Sequence, residues 1–572
     1  MLLIFSCAHQ LAPTGGPDDR TGPTIQSTAP ASGSVNVDPH RRCIITFSEW
    51  ISKTSAPKSV SVLPSLDGGA KIRVTGSRLE ITPNKAFAES TTYHILITGT
   101  LQDLHSNSLV SSYTLIFSTG PSLDSGIVMG CVVDPSKRRF QPTVALFRAA
   151  GDKKDSVLFT DPDYLTQADS AAFFSIENVR RDTYRVIAFI DQNGNHRLDP
   201  GTEAAYAPVR RIIAVTPQPD TVRLFPAESD TATPRLESVK PLSSKIIVCK
   251  LSRPLDTVRG CSEPVWTLEH IDNRGTPPAV SEKHWFGHRT RCMLLLADTL
   301  SLVPYRVVCN FKKKKDTSFT IIKDTSRFNG VTVGDTVPPV LLSSLPAGTV
   351  PLLPEIQLNF TEPITLKGPA FLTDSLRDTV RLSADTGYAD TVVLTPQRRL
   401  HPGNRYCLVL LKTNGKDIAG NPLKARDTTD TVGTFRFSVI AADSLAVSLK
   451  GCIPCLGAAA KRKWRFLPFS GGKPAVCPDN GGCFSFDSLP YGKGNIGYFI
   501  DENGNGRPDP GSLVPWLAPE PSIVFPDTVE ARARWEIEGV TFAGPCGQCA
   551  PYKVTTVTPA EKKTDSNKKS QR

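Results

Sequence analysis

At 572 residues the chain has room for about four to six domains of ordinary size, and 48 Pro, 41 Gly and 39% hydrophobic residues without a long amphipathic period mark it as all-β. Its net charge of +11 is scattered apart from short runs such as FKKKKD and the tail EKKTDSNKKSQR, which excludes the one-faced basic stripe with interleaved aromatics that nucleic acid requires. No run of about 18 apolar residues is present to span a membrane as a helix.

At the N-terminus, Ile4, Phe5, Ser6 and Cys7 close an apolar stretch that resembles a bacterial lipobox, where a small residue precedes the Cys that is lipidated. The resemblance makes Cys7 the lipidation site and the membrane a partner through a lipid anchor. Ala8 implies sorting to the outer membrane, because Asp in that place retains lipoproteins at the inner one. No Lys or Arg precedes Cys7, so the charged region and most of the apolar core of a signal peptide are expected upstream of Met1. APTGGPDDRTGP then provides a Pro/Gly/Asp tether, so that residues 1–21 form a leader remnant and stand-off.

Three later segments repeat one pattern: a strand, a Pro-containing turn, and an alternating strand that ends FSEWI, FTEPI or LSRPL. They place domains at 22–120, 336–440 and, in weaker form, 230–334, where Arg253 replaces Glu49 and Glu362 of the others. In each, a Tyr (Tyr93, Tyr406, Tyr305) follows a turn, as in the tyrosine corner of Ig-like sandwiches. Phe47-Ser48-Glu49, Phe360-Thr361-Glu362, DIAGNPL from Asp417, DLHSNSL from Asp103 and the closing FSTG and FRFSV resemble bacterial Ig-like domains of S-layer and Bacteroidetes surface lipoproteins. Glu49 and Glu362 lie in separate domains, which points to a role at the sandwich edge rather than an acid/base pair.

Two other segments, 124–227 and 442–540, share Gly130-Cys131 with Gly451-Cys452 and Ala207-Pro208 with Ala518-Pro519. They resemble the prealbumin-like modules of carboxypeptidase regulatory domains and adhesin repeats. Each carries a copy of one loop, FIDQNGNHRLDPG from Phe189 and FIDENGNGRPDPG from Phe499. Asp501, Asn503, Asn505 and Asp509 have the spacing of oxygen ligands in a calcium loop, as do Asp191, Asn193, Asn195 and Asp199. Ser512 and Thr202 stand where a bidentate Glu belongs, with Glu203 one residue late, so any calcium site here is of the weak, millimolar class. The competing reading is a turn closed by Asp and Asn on their own backbone, with no metal.

Six of the 14 Cys cluster in the last module and a basic tail at 541–572: Cys452, Cys455, Cys477, Cys483, Cys546 and Cys549. Export to an oxidising compartment favours disulfides; zinc and free thiols are the alternatives. Cys43, Cys131, Cys249, Cys292, Cys309 and Cys407 sit in apolar strands and read as small core residues. The stretch HWFGH, His284 to His288, lacks the Glu and the helix of a zinc protease and reads as a turn or strand, and no nucleophile elbow or phosphate loop is present.

The sequence therefore predicts a tandem array of Ig-like and prealbumin-like β-sandwiches serving as a non-enzymatic, lipid-anchored envelope scaffold on the periplasmic or surface face. A rival function is glycan or peptide binding by an adhesion module through Trp50, Trp285 or Trp516, with cell-wall glycan or an envelope protein as partner. A third is a zinc or thiol-redox protein centred on the last cysteines.

Overall fold

A computed structural model describes residues 19–541 with several internal gaps, the longest at 453–463 and 468–482. The chain divides into two compact units, Met1–Ser229 and Asp230–Arg572, and among the described residues its regular structure is strand with a few short 3₁₀ turns.

In the first unit, Ile25–Ala29, Cys43–Phe47, Arg78–Pro83 and Ala70–Thr75 form a four-stranded sheet in that order. Val60–Leu63, Thr92–Ile97 and Tyr113–Ser118 form a three-stranded one. The period-two alternation of the sequence explains the sandwich: Cys43, Ile45 and Phe47 are buried between the sheets while Ile44 and Thr46 are half-exposed. In the second unit the segment with Arg253 in place of Glu repeats this order strand for strand. Its four-stranded sheet is Leu236–Ser243, Ile246–Leu251, Arg291–Leu296 and Val280–Phe286, and its three-stranded one is Val265–His270, Pro304–Lys315 and Ser318–Asn329. Between 341 and 439 the same neighbours recur, joined into one sheet because Ala370–Asp374 also pairs with Thr379–Ala384.

Three tyrosines pin the corners of these sandwiches. Tyr93, Tyr305 and Tyr406 are buried, and their hydroxyls accept the N–H groups of Ala88 at 2.8 Å, Ser301 at 3.1 Å and His401 at 3.1 Å.

The other two modules are built differently. Gly126–Val132 runs antiparallel to Phe173–Val179 and parallel to Thr221–Glu228, and Ser448–Cys452 runs antiparallel to Cys483–Asp487 and parallel to Glu536–Thr541. Gly130 is required where the parallel strands meet, since a Cβ there would lie 1.8 Å from the carbonyl oxygen of Val222.

Cys43, Cys131, Cys249, Cys292 and Cys309 are buried, as their apolar strands imply. Burial pushes the thiols of Cys43, Cys292 and Cys309 up to about 12 and that of Cys249 well above the ordinary range, so they behave as hydrophobes. Cys407 departs from the expectation and is half-buried. Tyr406, Leu408 and Leu410 take the inward positions of Arg405–Leu411, so the pleat turns Cys407 to the outer face. His284 lies on the strand Val280–Phe286, and His288 falls outside the described residues.

Candidate functional site

The repeated Glu of the two stronger Ig-like segments meets two aspartates at one corner of the sandwich. In the second unit, Asp335, Glu362 and Asp417 bring carboxylate oxygens within 4.8 Å of one another. Asp417 is 1% exposed and is built into its own turn: its two oxygens accept the backbone N–H of Asn421 at 2.7 Å and the Asn421 side-chain amide at 2.9 Å. That amide also donates to the Asp335 carbonyl at 3.2 Å, and Asp335 accepts the N–H of Val337 at 3.1 Å.

The first unit repeats the arrangement bond for bond. Asp103, 2% exposed, accepts the Asn107 N–H at 2.8 Å and its amide at 2.9 Å; the amide reaches the Asp19 carbonyl at 3.0 Å, and Asp19 accepts from Thr21 at 3.0 Å. Here Asp19, Asp103 and His105 form the close group, and Glu49 feels both aspartates. The Asp of the D-x-x-x-N turn is thus the anchor, and the flanking Asp and Glu converge on it from two neighbouring segments.

Electrostatics make each corner costly as it stands. Burial first, then the charges of Asp417 and Asp335, pushes Glu362 up to about 7, and burial with Asp103 and Asp19 raises Glu49. The oxygen-only, anionic donors of the second unit's corner, Asp335, Glu362 and Asp417, suit a hard divalent cation. The middle segment, 230–334, resolves the same conflict with an ion pair. Its Asp230 accepts the N–H of Ala232 at 2.7 Å, as Asp19 does from Thr21, but Arg253 stands in place of the Glu and pairs with Asp230. Lys313 also acts on that site and bonds Thr233 at 3.2 Å, so this corner contains its own cations.

A pH prediction follows for Glu362. Its folded value lies above its unfolded one, so the folded chain holds more protons between about pH 4.5 and 7, and stability falls as pH rises through that window. Glu362→Gln is expected to stabilise its domain at pH 8 by about 1 kcal/mol, the figure being discounted for a half-buried group, and to change nothing at pH 4. Melting curves of both proteins across that range check it; a Gln variant less stable at pH 8 contradicts it.

The paired loops close by hydrogen bonds to their own backbone. Asp501 is fully buried: Oδ1 accepts Gly504 N–H at 2.6 Å, and Oδ2 accepts Gly506 N–H at 3.2 Å and Arg465 Nε at 3.0 Å. Burial alone would raise its carboxyl, but Arg465 and these N–H groups outweigh that and hold it low. Asn503 and Asn505 accept the N–H groups two residues ahead and direct their amides at Asp509. In the first copy Asp191, Asn193, Asn195 and Asp199 repeat the pattern, with His196 at φ +60 where the second copy has Gly506 at φ +74. Sequence spacing meets Glu203 only as a ligand displaced by one residue and misses Glu520, yet these two tie the loops at their bases. Glu520, buried, accepts the N–H groups of Glu502 and Asp509 at 2.8 and 3.1 Å, and Glu203 accepts those of Gln192 and Asp199 at 2.9 and 3.0 Å.

Of the six clustered cysteines, the described backbone places Cys452 directly opposite Cys483 across two antiparallel strands, while Cys455, Cys477, Cys546 and Cys549 lie outside the described residues. Cys7 does also. Among the tryptophans, Trp50 is 66% exposed. Trp285 is half-buried, donates to Glu263 at 3.0 Å and carries the Arg289 guanidinium 5.2 Å from its ring, and Trp516 is half-buried.

Residues 19–119 and 335–439 each match the family model of the bacterial Ig-like domain. No curated protein matches the chain significantly. Among solved structures, the chicken CNTN1 FN1-FN3 domains are 10% identical, covering 51% of this chain and 97% of theirs, at a TM-score of 0.14. Domains 4-9 of the surface layer protein SbsC are 11% identical over 85% of this chain and 66% of theirs, at a TM-score of 0.16. The alpha-2-macroglobulin of E. coli is 9% identical over 88% of this chain, which spans 34% of it, at a TM-score of 0.14. At such scores these likenesses carry no argument about function. The two intact carboxylate corners fall inside the two segments that match the bacterial Ig-like domain, and the chain is a tandem array of β-sandwiches.

Proposed function

We propose that the chain is a non-enzymatic scaffold or spacer of the bacterial cell envelope, anchored to the outer membrane through lipid on Cys7. The observation that supports it is the bonding of successive modules within each unit. In the first, Gly99 N–H donates to Gln167 Oε1 at 2.8 Å, Asp124 N–H donates to Thr92 Oγ1 at 3.1 Å, and buried His94 has its Nε2 3.3 Å from the Asn178 carbonyl. In the second, Gly287 N–H donates to the Asp390 carboxylate at 3.2 Å, and the ring of His284 meets that of Tyr388 edge-on at 5.2 Å. Modules with cores of their own that are also tied to the next one suit a load-bearing spacer, since domains joined by a linker alone move independently. A disulfide between Cys452 and Cys483 would further brace the last module, given their register and an oxidising compartment. The envelope assignment also agrees with the usual setting of bacterial Ig-like domains.

The second reading, glycan or peptide binding, is favoured by one feature, the exposure of Trp50 beside the first carboxylate corner. Pull-down of the full chain on purified cell-wall glycan separates the two. The scaffold expects retention no greater than on an uncharged control resin and no change on Trp50→Ala. Saturable retention abolished by that substitution would instead make the protein a binding module.

A further inference from the structure

We infer that the outer face of the hairpin formed by Pro304–Lys315 and Ser318–Asn329 is a docking surface for an anionic lipid bilayer. The two strands pair over their whole length, with Lys312 opposite Ile321, Lys314 opposite Phe319 and Asn310 opposite Lys323. Residues opposite one another in an antiparallel pair share a face. Ile322 turns inward onto the core, which leaves Phe319 and Ile321, 65% and 70% exposed, on the outside with exposed Lys312 and Lys323. Val265, 63% exposed and opposite Asn310 on the next strand, extends the apolar patch.

Two large apolar side chains side by side on a solvent-facing strand are a liability unless something covers them. Charge decides what does. Lysines interleave with the apolar residues, while the carboxylates nearby are engaged: Asp324 accepts the Leu236 N–H at 2.7 Å, and Glu263 is held by Arg289, Trp285 and Lys283. A positive face with an apolar centre complements an anionic headgroup layer. Phe319 and Ile321 would enter the boundary with the acyl chains, while the lysine stems lie along them and hold their ammonium groups among the headgroups. A polyanion such as nucleic acid would satisfy the lysines but leave the aliphatic surface uncovered. This attachment is separate from the lipid on Cys7 and does not depend on it.

The test uses the full chain carrying Cys7→Ser, so that no acyl chain contributes. It is sedimented with vesicles of phosphatidylcholine alone and of phosphatidylcholine with phosphatidylglycerol in equal parts. Binding is expected only to the anionic vesicles, weakening as salt is raised, and Lys312→Glu with Lys323→Glu should lower it at least about ten-fold. The emission of Phe319→Trp should shift to the blue on adding anionic vesicles and stay unchanged with neutral ones. All three substitutions are at exposed positions, and unaltered melting temperatures verify that the fold is retained. Equal binding to both vesicles, anionic binding indifferent to the lysine pair, or an emission that does not move overturns the proposal. So does a chain that ignores vesicles but self-associates through this face, which would give the patch to a second copy.

Discussion

Asp155→Ala is expected to destabilise the module at 124–227 by about 3–5 kcal/mol, the cost of leaving a buried charge without its partner. Arg185 is the largest fully buried side chain in the molecule's described residues, and its guanidinium meets Asp155 at 2.7 Å with both groups almost sealed from water. Arg211 reaches the same carboxylate at 2.8 Å from a more exposed position. Removing the carboxylate leaves Arg185 charged on the strand face it shares with buried Ile187, opposite buried Phe147, where desolvation is costly. Amide exchange in the strand Thr183–Phe189 should therefore accelerate by about 100-fold or more, while the strand Arg405–Leu411 of the other unit keeps its protection. A double change, Asp155→Leu with Arg185→Met, should recover much of the loss, because an apolar pair of similar volume has no charge to desolvate. Unchanged exchange in the single variant would show that the pair contributes nothing.

Asp501→Ala is the second large effect, about 3 kcal/mol, since it removes the acceptor for two loop N–H groups and for Arg465 at once. Asp501→Asn retains one acceptor oxygen and should cost less. Melting of the full chain in chelator isolates this hydrogen-bonded contribution. Repeating the scan with calcium tests the loops as weak cation sites: a rise lost in Asp501→Ala with Asp509→Ala would assign one, whereas a rise that survives both changes would place the ion elsewhere. A wild-type melting temperature in Asp501→Ala under chelator contradicts the role given to its carboxylate.

Much of the strand pattern was legible because a half-buried sheet writes itself as alternation: CIITF buries every second residue, and RYCLVLL does the same. The same rule explains the misplacement of Cys407, whose apolar neighbours suggested a core position although its own register turns it outward. The carboxylate corner was half legible. Glu49 with Glu362 and Asp103 with Asp417 stand out as repeated letters, but their third members lie in irregular chain ahead of the first strand. Asp19, Asp230 and Asp335 each stand four residues before a proline, a signal visible only once the three repeats are laid over one another. The equivalence of the two residues that tie the paired loops escaped for a geometric reason. Glu203 follows its loop Asp by 203 − 191 = 12 residues and Glu520 by 520 − 501 = 19, so no fixed spacing links them, and only the backbone N–H groups they accept reveal the equivalence. The hairpin face was hidden for another reason: FKKKKD reads as a solvated charge run until pairing sets Ile321 and Phe319 beside it.

Labelling cells with radioactive palmitate tests the central claim most directly, with the protein expressed from its native upstream sequence and followed through membrane fractionation. A lipid-anchored envelope scaffold predicts label on the protein, recovery in the outer-membrane fraction, and loss of both on Cys7→Ala. Unlabelled protein recovered in the soluble cytoplasmic fraction, with or without Cys7, would contradict it.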